Sequence, residues 1–244
     1  MDWHPRYIQQ ANWTRALREY LFKRTGLRTA RRVLEVGCGT GAILGAIEII
    51  TPQLHGLDIR PATLMEARVH APNASLTCGD SLSLPYHGNC FDIVFCHFLL
   101  LWVSDPERAL LEMKRVAREG GHILALAEPD YGGRVDKPAE LAVLGHWQSE
   151  SLQRQGADPS LGGKLAELFY KAGIELIETG AIESREKDSP TSTEQELEWA
   201  VLENDLAEFV PEKEIHRLKK LDEEAWRRGE RILHVPTYFA WGRI

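Results

Sequence analysis

Residues 33–41 read Val-Leu-Glu-Val-Gly-Cys-Gly-Thr-Gly, and an apolar segment, Ala42 to Ile50, follows directly. Four residues of strand character run into three glycines spaced by one, then into a helix start. A buried strand, a tight turn and a helix in that order build a parallel α/β unit whose loop backbone can approach a nucleotide-like ligand closely. Gly37, Gly39 and Gly41 allow positive φ and put no Cβ in the way. Glu35 narrows the ligand. A carboxylate two residues before the first glycine repels a pyrophosphate and suits a ligand carrying an ammonium or a sulfonium. Gly37-Cys38-Gly39-Thr40-Gly41-Ala42 also satisfies the looser dinucleotide pattern G-x-G-x-x-G/A, so the glycines alone leave both ligands open.

A length of 244 residues fits one α/β domain with helical additions. The formal net charge is -7 and no basic run is present, so phosphate neutralisation is poorly supported and no nucleic-acid partner is expected. No two of Cys38, Cys78, Cys90 and Cys96 have C-x-x-C spacing, which argues against a zinc ribbon or a thioredoxin-like motif, and no metal site is expected. Buried free thiols and a reducing compartment are the expectation. The start, Met1-Asp2-Trp3-His4-Pro5, lacks the basic and apolar regions of a signal peptide. The longest apolar run, Phe91 to Val103, is too short to span a bilayer. A soluble cytoplasmic protein is expected.

Strand and helix alternate along the first half. Leu54–Asp58, Ser75–Cys78, Phe91–Cys96 and His122–Ala127 read as strands after the first. Pro61 opens a helix over Ala62–Val69, and Asp105-Pro106 opens another that Gly120-Gly121 would stop. Five alternations argue for a parallel sheet with helices on both faces. An amphipathic helix over 7–26, carrying Tyr7 and Trp13, precedes the first strand. Further on, 138–155, Gly163–Ala172, Thr193–Phe209 and Glu212–Arg228 read as helices. Ile174–Ser184 and Ile232–Trp241 read as strands, with 184–193 as a short linker inside one domain of residues 1–244. The helices 7–26, 138–155 and 193–228 would form a lid over the pocket.

Chemistry concentrates at the strand ends, where open α/β sheets bind ligands. Asp58 ends the second strand, and one carboxylate can accept from both hydroxyls of a ribose; helix capping is the plain alternative. Gly79-Asp80-Ser81-Leu82 follows the third. His97 ends the fourth, after Cys96, and its unperturbed pKa suits a general base. Leu99–Trp102 would make an apolar wall. Glu128-Pro129-Asp130-Tyr131-Gly132-Gly133 follows the fifth, and Glu128 and Tyr131 could hydrogen-bond a substrate or position a nucleophile. His97, Glu128 and Tyr131 are thus the candidate catalytic residues.

Glu35 to Gly41 resembles the first motif of the class I S-adenosylmethionine-dependent methyltransferases, an acid, an apolar residue and a GxGxG loop. The likeness in motifs covers roughly residues 31–133 and continues beyond only as element order. It implies a Rossmann-like α/β fold with a seven-stranded, mostly parallel sheet whose last strand, here Ile232–Trp241, inserts antiparallel. It implies S-adenosylmethionine as cofactor and S-adenosylhomocysteine as product. Glu35, Gly37, Cys38, Gly39, Thr40, Gly41, Asp58, Ile59, Asp80, Ser81, Leu82 and Cys96 would hold it, with Trp13 from the lid. Ile59 would pack on adenine, Asp80 would accept from the adenine amino group, and backbone at Cys96–His97 would hold the methionine part. The implied activity is methylation of a small molecule, as in the branch that includes quinone-biosynthesis enzymes. A NAD-dependent oxidoreductase and a catalytically silent adaptor are the alternatives.

Overall fold

The computed structural model describes residues 3–48, 50, 53–182 and 190–244. Its elements run α1 (His4–Trp13), α2 (Arg15–Arg24), β1 (Arg32–Val36), α3 (Leu44–Ile47), β2 (Gln53–Asp58), α4 (Pro61–His70), β3 (Ser75–Cys78), β4 (Phe91–Cys96), α5 (Pro106–Val116) and β5 (Ala117–Pro129). Then come β6 (Val135–Lys137), α6 (Ala142–Arg154), α7 (Leu165–Lys171), β7 (Glu175–Ala181), α8 (Ser192–Leu206), α9 (Glu212–Arg228), β8 (Ile232–His234) and β9 (Thr237–Arg243).

Side chains of successive strand residues point to opposite faces. Val33, Ile93, Phe95, Leu124 and Leu126 accordingly share one core with Leu21 and Phe22 of α2 and Leu44 of α3. Leu34, Val36, Val94, Ile123 and Ala125 share the other with Leu110 and Met113 of α5 and Phe169 of α7. This two-sided burial explains why β1 and β4 read as nearly continuous apolar runs. The seven strands lie in the order β3-β2-β1-β4-β5-β9-β7. β1 to β5 are parallel, and β9 is antiparallel to both β5 and β7. Chain order reverses between β1 and β4, which opens a crevice at their carboxyl ends.

Several boundaries differ from expectation. The 7–26 helix is two helices, broken at Thr14, whose φ of -101° and ψ of 5° leave the helical basin. α2 is core rather than lid, since Leu21 and Phe22 are buried and the Phe22 ring meets Phe95 edge-on at 5.4 Å. α5 ends at Val116, before Gly120-Gly121, because Ala117 is already extended and begins β5. The expected last strand is two: Ile232–His234 pairs with β6 in a separate ribbon, and only β9 enters the main sheet. α8 starts earlier than Thr193, on a capping box between Thr191 and Glu194. The expected linker 184–193 and the end of the strand Ile174–Ser184 lie largely outside the described residues. So does Ile49, in the expected helix Ala42–Ile50, of which only Leu44–Ile47 is helical. α6, α8 and α9 pack on one another through a third core that includes Leu144, Trp199, Leu202 and Leu218. Among the described residues no helix is long and apolar enough to cross a membrane. The four cysteines are free thiols, but Cys78 is exposed on the edge strand rather than buried.

Candidate active site

The loop after β1 is tied to the end of β2. The N–H groups of Gly37 and Cys38 both donate to the Leu57 carbonyl, at 2.7 and 2.9 Å. The Gly39 N–H donates to Asp58 Oδ2 at 2.9 Å. Gly37 and Gly39 take φ of 75° and 52°. A Cβ at Gly37 would lie 2.7 Å from Leu99 Cδ1, and one at Gly39 would lie 3.0 Å from the Tyr7 ring. Glycine is therefore needed at both for conformation and for space. α1 lies over this loop. Tyr7 covers Gly39 and its hydroxyl accepts from Arg60 at 3.1 Å, while His4 Nδ1 is 2.7 Å from Thr40 Oγ1.

Beneath α1 a cavity of about 430 Å³ opens at the carboxyl ends of β1, β2 and β4, a volume suited to a small ligand. Glu35, Gly37, Cys38, Gly39, Asp58 and Ile59 line one wall. His97, Phe98, Leu99, Leu101, Trp102 and Tyr131 line the next, and residues of α6 and α8 close it. Phe98, a bulky residue at φ 51°, holds a left-handed conformation at this wall.

Burial pushes the Glu35 carboxyl well above the ordinary carboxylate range, and Arg18 of α2 offsets this only in part. Glu35 Oε2 is buried without a hydrogen-bond partner among the described residues. Asp58 is also buried. Its Oδ1 accepts from the Arg60 N–H and the Thr63 hydroxyl, at 2.9 and 3.1 Å, so it organises the start of α4 as well as the loop. Burial, with Arg18 nearby, lowers the pKa of His97 to about 3, and its Nε2 lies 3.0 Å from Thr14 Oγ1. Burial raises the Tyr131 phenol to about 12.

Not every expected residue reaches the cavity. Glu128 does not line it. It is fully buried, and its two oxygens take the N–H groups of Leu99, Leu100 and Leu101 at 2.9–3.1 Å. Its carboxylate therefore shapes the loop after β4 instead of facing a substrate. Trp13 is 44% exposed and outside the cavity, with the Arg6 guanidinium 4.8 Å from its ring centroid; Trp3 and Tyr7 are the aromatics that α1 and its approach bring to the wall. The Cys96 side chain falls on the core face of β4 by strand alternation. Asp80 is exposed, with Oδ1 closing a turn onto the Leu82 N–H at 2.9 Å. Asp80, Ser81 and Leu82 lie off the cavity wall, as do Thr40, which faces His4, and Gly41, which packs on Ala67. Sequence reading missed Arg18, Thr14, Arg60, Arg6 and Asp205, which sit in helices or turns without any motif spacing. Among the described residues no cluster of His, Cys, Asp and Glu could hold a metal ion.

Residues 34–125 match the family model described as a methyltransferase domain. The likeness of this α/β core is to a methyltransferase domain. Over 166 residues the chain is 37% identical to a malonyl-[acyl-carrier protein] O-methyltransferase of Halorhodospira halophila, covering 60% of this chain and 55% of that protein. Over 121 residues it is 31% identical to a demethylmenaquinone methyltransferase of Renibacterium salmoninarum, covering 49% and 51%. The chain thus spans about half the length of these curated relatives. Among solved structures it resembles the [4+2]-cyclase SpnF, at a TM-score of 0.62 and 22% identity over 93% of this chain and 79% of that one. It also resembles a geranyl diphosphate methyltransferase in complex with SAM, at a TM-score of 0.57 and 12% identity over 93% and 84%. At such identities the likeness is one of fold.

Proposed function

We propose that this methyltransferase domain transfers a methyl group from S-adenosylmethionine to a small-molecule acceptor. The observation that carries the reading is Glu35: a buried carboxylate with one unpartnered oxygen, on the cavity wall beside the glycine loop and Asp58. An ammonium-bearing ligand relieves that orphaned acceptor and the cost of burying its charge. A pyrophosphate offers no cation to hold Glu35 in its charged form, which argues against NAD. The glycines leave room for backbone to approach the ligand, Asp58 keeps acceptor capacity for a ribose, and Ile59, 63% exposed at the cavity, offers an apolar face for a base. When bound, the cofactor supplies an electrophilic methyl group on a sulfonium.

The chain's own part is orientation and exclusion of water. Leu99, Leu101 and Trp102 give the acceptor an apolar wall, and α1 covers the loop side. Strong base catalysis is poorly supported. His97 is neutral throughout the physiological range and is a weak base, Tyr131 stays protonated, and Glu128 is occupied by backbone donors. Once an acceptor is known, the pH–rate profile between about pH 5 and 8 should carry no limb assignable to His97, because its folded pKa lies below that window. His97→Gln should leave the profile's shape unchanged; a limb that disappears in this variant would make His97 the base.

The names of the relatives support methyl transfer without choosing the acceptor, since one acts on a malonyl-acyl carrier and another on demethylmenaquinone. Calorimetry with S-adenosylmethionine, S-adenosylhomocysteine and NAD tests the reading. Binding of the first two and not the third is expected. NAD binding alone would favour the oxidoreductase, and no binding of any of them would favour an adaptor.

A further inference from the structure

The cavity wall made by α6 and α8 carries charge that the methyl-transfer reading does not use. Three buried or nearly buried arginines lie behind it. Arg6 pairs with Glu198 at 2.7 Å, Arg134 and Arg231 each pair with Asp136 at 2.7 Å, and Arg231 also pairs with Asp222. Asp205 faces the cavity beside them and, among the described residues, has no ion pair. Its partners are amides. Gln155 Nε2 donates to Oδ1 at 3.4 Å, and Gln148 and Asn204 also hydrogen-bond its carboxylate. Gln148 gives its own oxygen to Arg134, which turns its amide nitrogen toward the carboxylate. Three guanidinium groups thus stand against the four carboxylates Asp136, Glu198, Asp222 and Asp205. One negative charge is left over, at the group that borders the cavity. Burial raises the Asp205 carboxyl above its ordinary range, and its amide partners and the nearby Arg6 charge offset this only in part. Leu152 and Val201 lie on the same wall and are apolar.

We propose that the methyl acceptor carries a cationic nitrogen and that Asp205 is its anchor, with Leu152 and Val201 against the adjoining hydrocarbon. The inference rests on the small-molecule methyltransferase reading and names the chemistry of the acceptor. A protonated nitrogen has no lone pair to receive a methyl group. The anchored nitrogen is therefore a handle, and the nucleophile is another atom of the same molecule. Arg6 is the competing anchor, for an anion, but its charge is already matched by Glu198, and the same Nη1 also donates to Gln9. The leftover charge favours the cation.

Three near-isosteric probes test this: benzylamine, benzyl alcohol and benzoate, titrated calorimetrically into the full chain saturated with S-adenosylhomocysteine at pH 7. Benzylamine should bind about tenfold more tightly than benzyl alcohol, as one charge-assisted hydrogen bond provides, with benzoate weakest. Asp205→Asn should reduce that preference to about twofold or less, and its affinity for S-adenosylhomocysteine checks that the variant is folded. The wild-type order alone decides if the variant is unstable. No preference for the amine, including no binding by any of the three, overturns the proposal, as does a preference that survives Asp205→Asn. Failure of S-adenosylhomocysteine to bind the wild type would sink the methyltransferase reading instead, and the probe series run on the protein alone would still judge Asp205.

Discussion

Asp58→Ala is expected to weaken S-adenosylhomocysteine binding by about one to two decades. The estimate is the 1.5–3 kcal/mol typical of a hydrogen bond to a charged group. Two roles converge on this side chain. Oδ2 holds the Gly39 N–H at 2.9 Å, and Oδ1 holds the Arg60 N–H and the Thr63 hydroxyl. Each carboxylate oxygen can accept twice, so Oδ2 retains a site for a ribose hydroxyl at the cavity wall. The alanine variant removes the ligand contact and slackens the loop together. Asp58→Asn separates them, because the amide keeps one oxygen for its neighbours and loses the charge. An asparagine variant that binds nearly as well as wild type, with alanine far weaker, would assign the loss to loop geometry. Equal calorimetric affinity for wild type and Asp58→Ala would remove Asp58 from the cofactor site.

The proposed cofactor wall was legible in the sequence because it is local. Val33 to Gly41 and Gln53 to Asp58 are two strand-to-loop segments, and alternation together with glycine spacing places Glu35, the loop and Asp58 at adjacent strand ends. The wall proposed for the acceptor is not local. Asp205 meets Gln155 across 50 residues, and Arg6 meets Glu198 across 192. No period or spacing in a single chain encodes those meetings, since they depend on how α1, α6 and α8 pack. The same limit explains Trp13. The two were grouped on one broad face, but six residues on a single helix leave their side chains about 120° apart around its axis, so α1 turns Tyr7 onto the glycine loop and leaves Trp13 at the surface. Glu128 shows a third kind of miss. Its position at a strand end was legible, yet a carboxylate there can face either a ligand or backbone donors, and only the path of residues 99–101 decides.

That path makes Glu128→Ala expected to cost about 3 kcal/mol of folding stability at pH 5, because it leaves three backbone N–H groups without their acceptor. Leu99 and Leu101 belong to the cavity wall and Leu99 lies against Gly37, so the variant should also loosen the site. The pH dependence distinguishes this role from a catalytic one. Burial pushes the Glu128 carboxyl up to about 7, against an ordinary value of 4.5, although the three N–H donors favour its charged form. Between those values the folded chain keeps a proton that the unfolded chain has released. The stabilisation is therefore complete below about pH 4.5 and is lost as pH rises through 7, by up to about 3 kcal/mol at 1.36 kcal/mol per unit. Urea titrations of wild type and Glu128→Ala across pH 4.5–8 should show a gap that narrows as pH rises. A gap that widens would mean that the carboxylate is stabilised more by its N–H donors than it is penalised by burial. A variant of undiminished stability at pH 5 would return Glu128 to the list of groups free to act on a substrate.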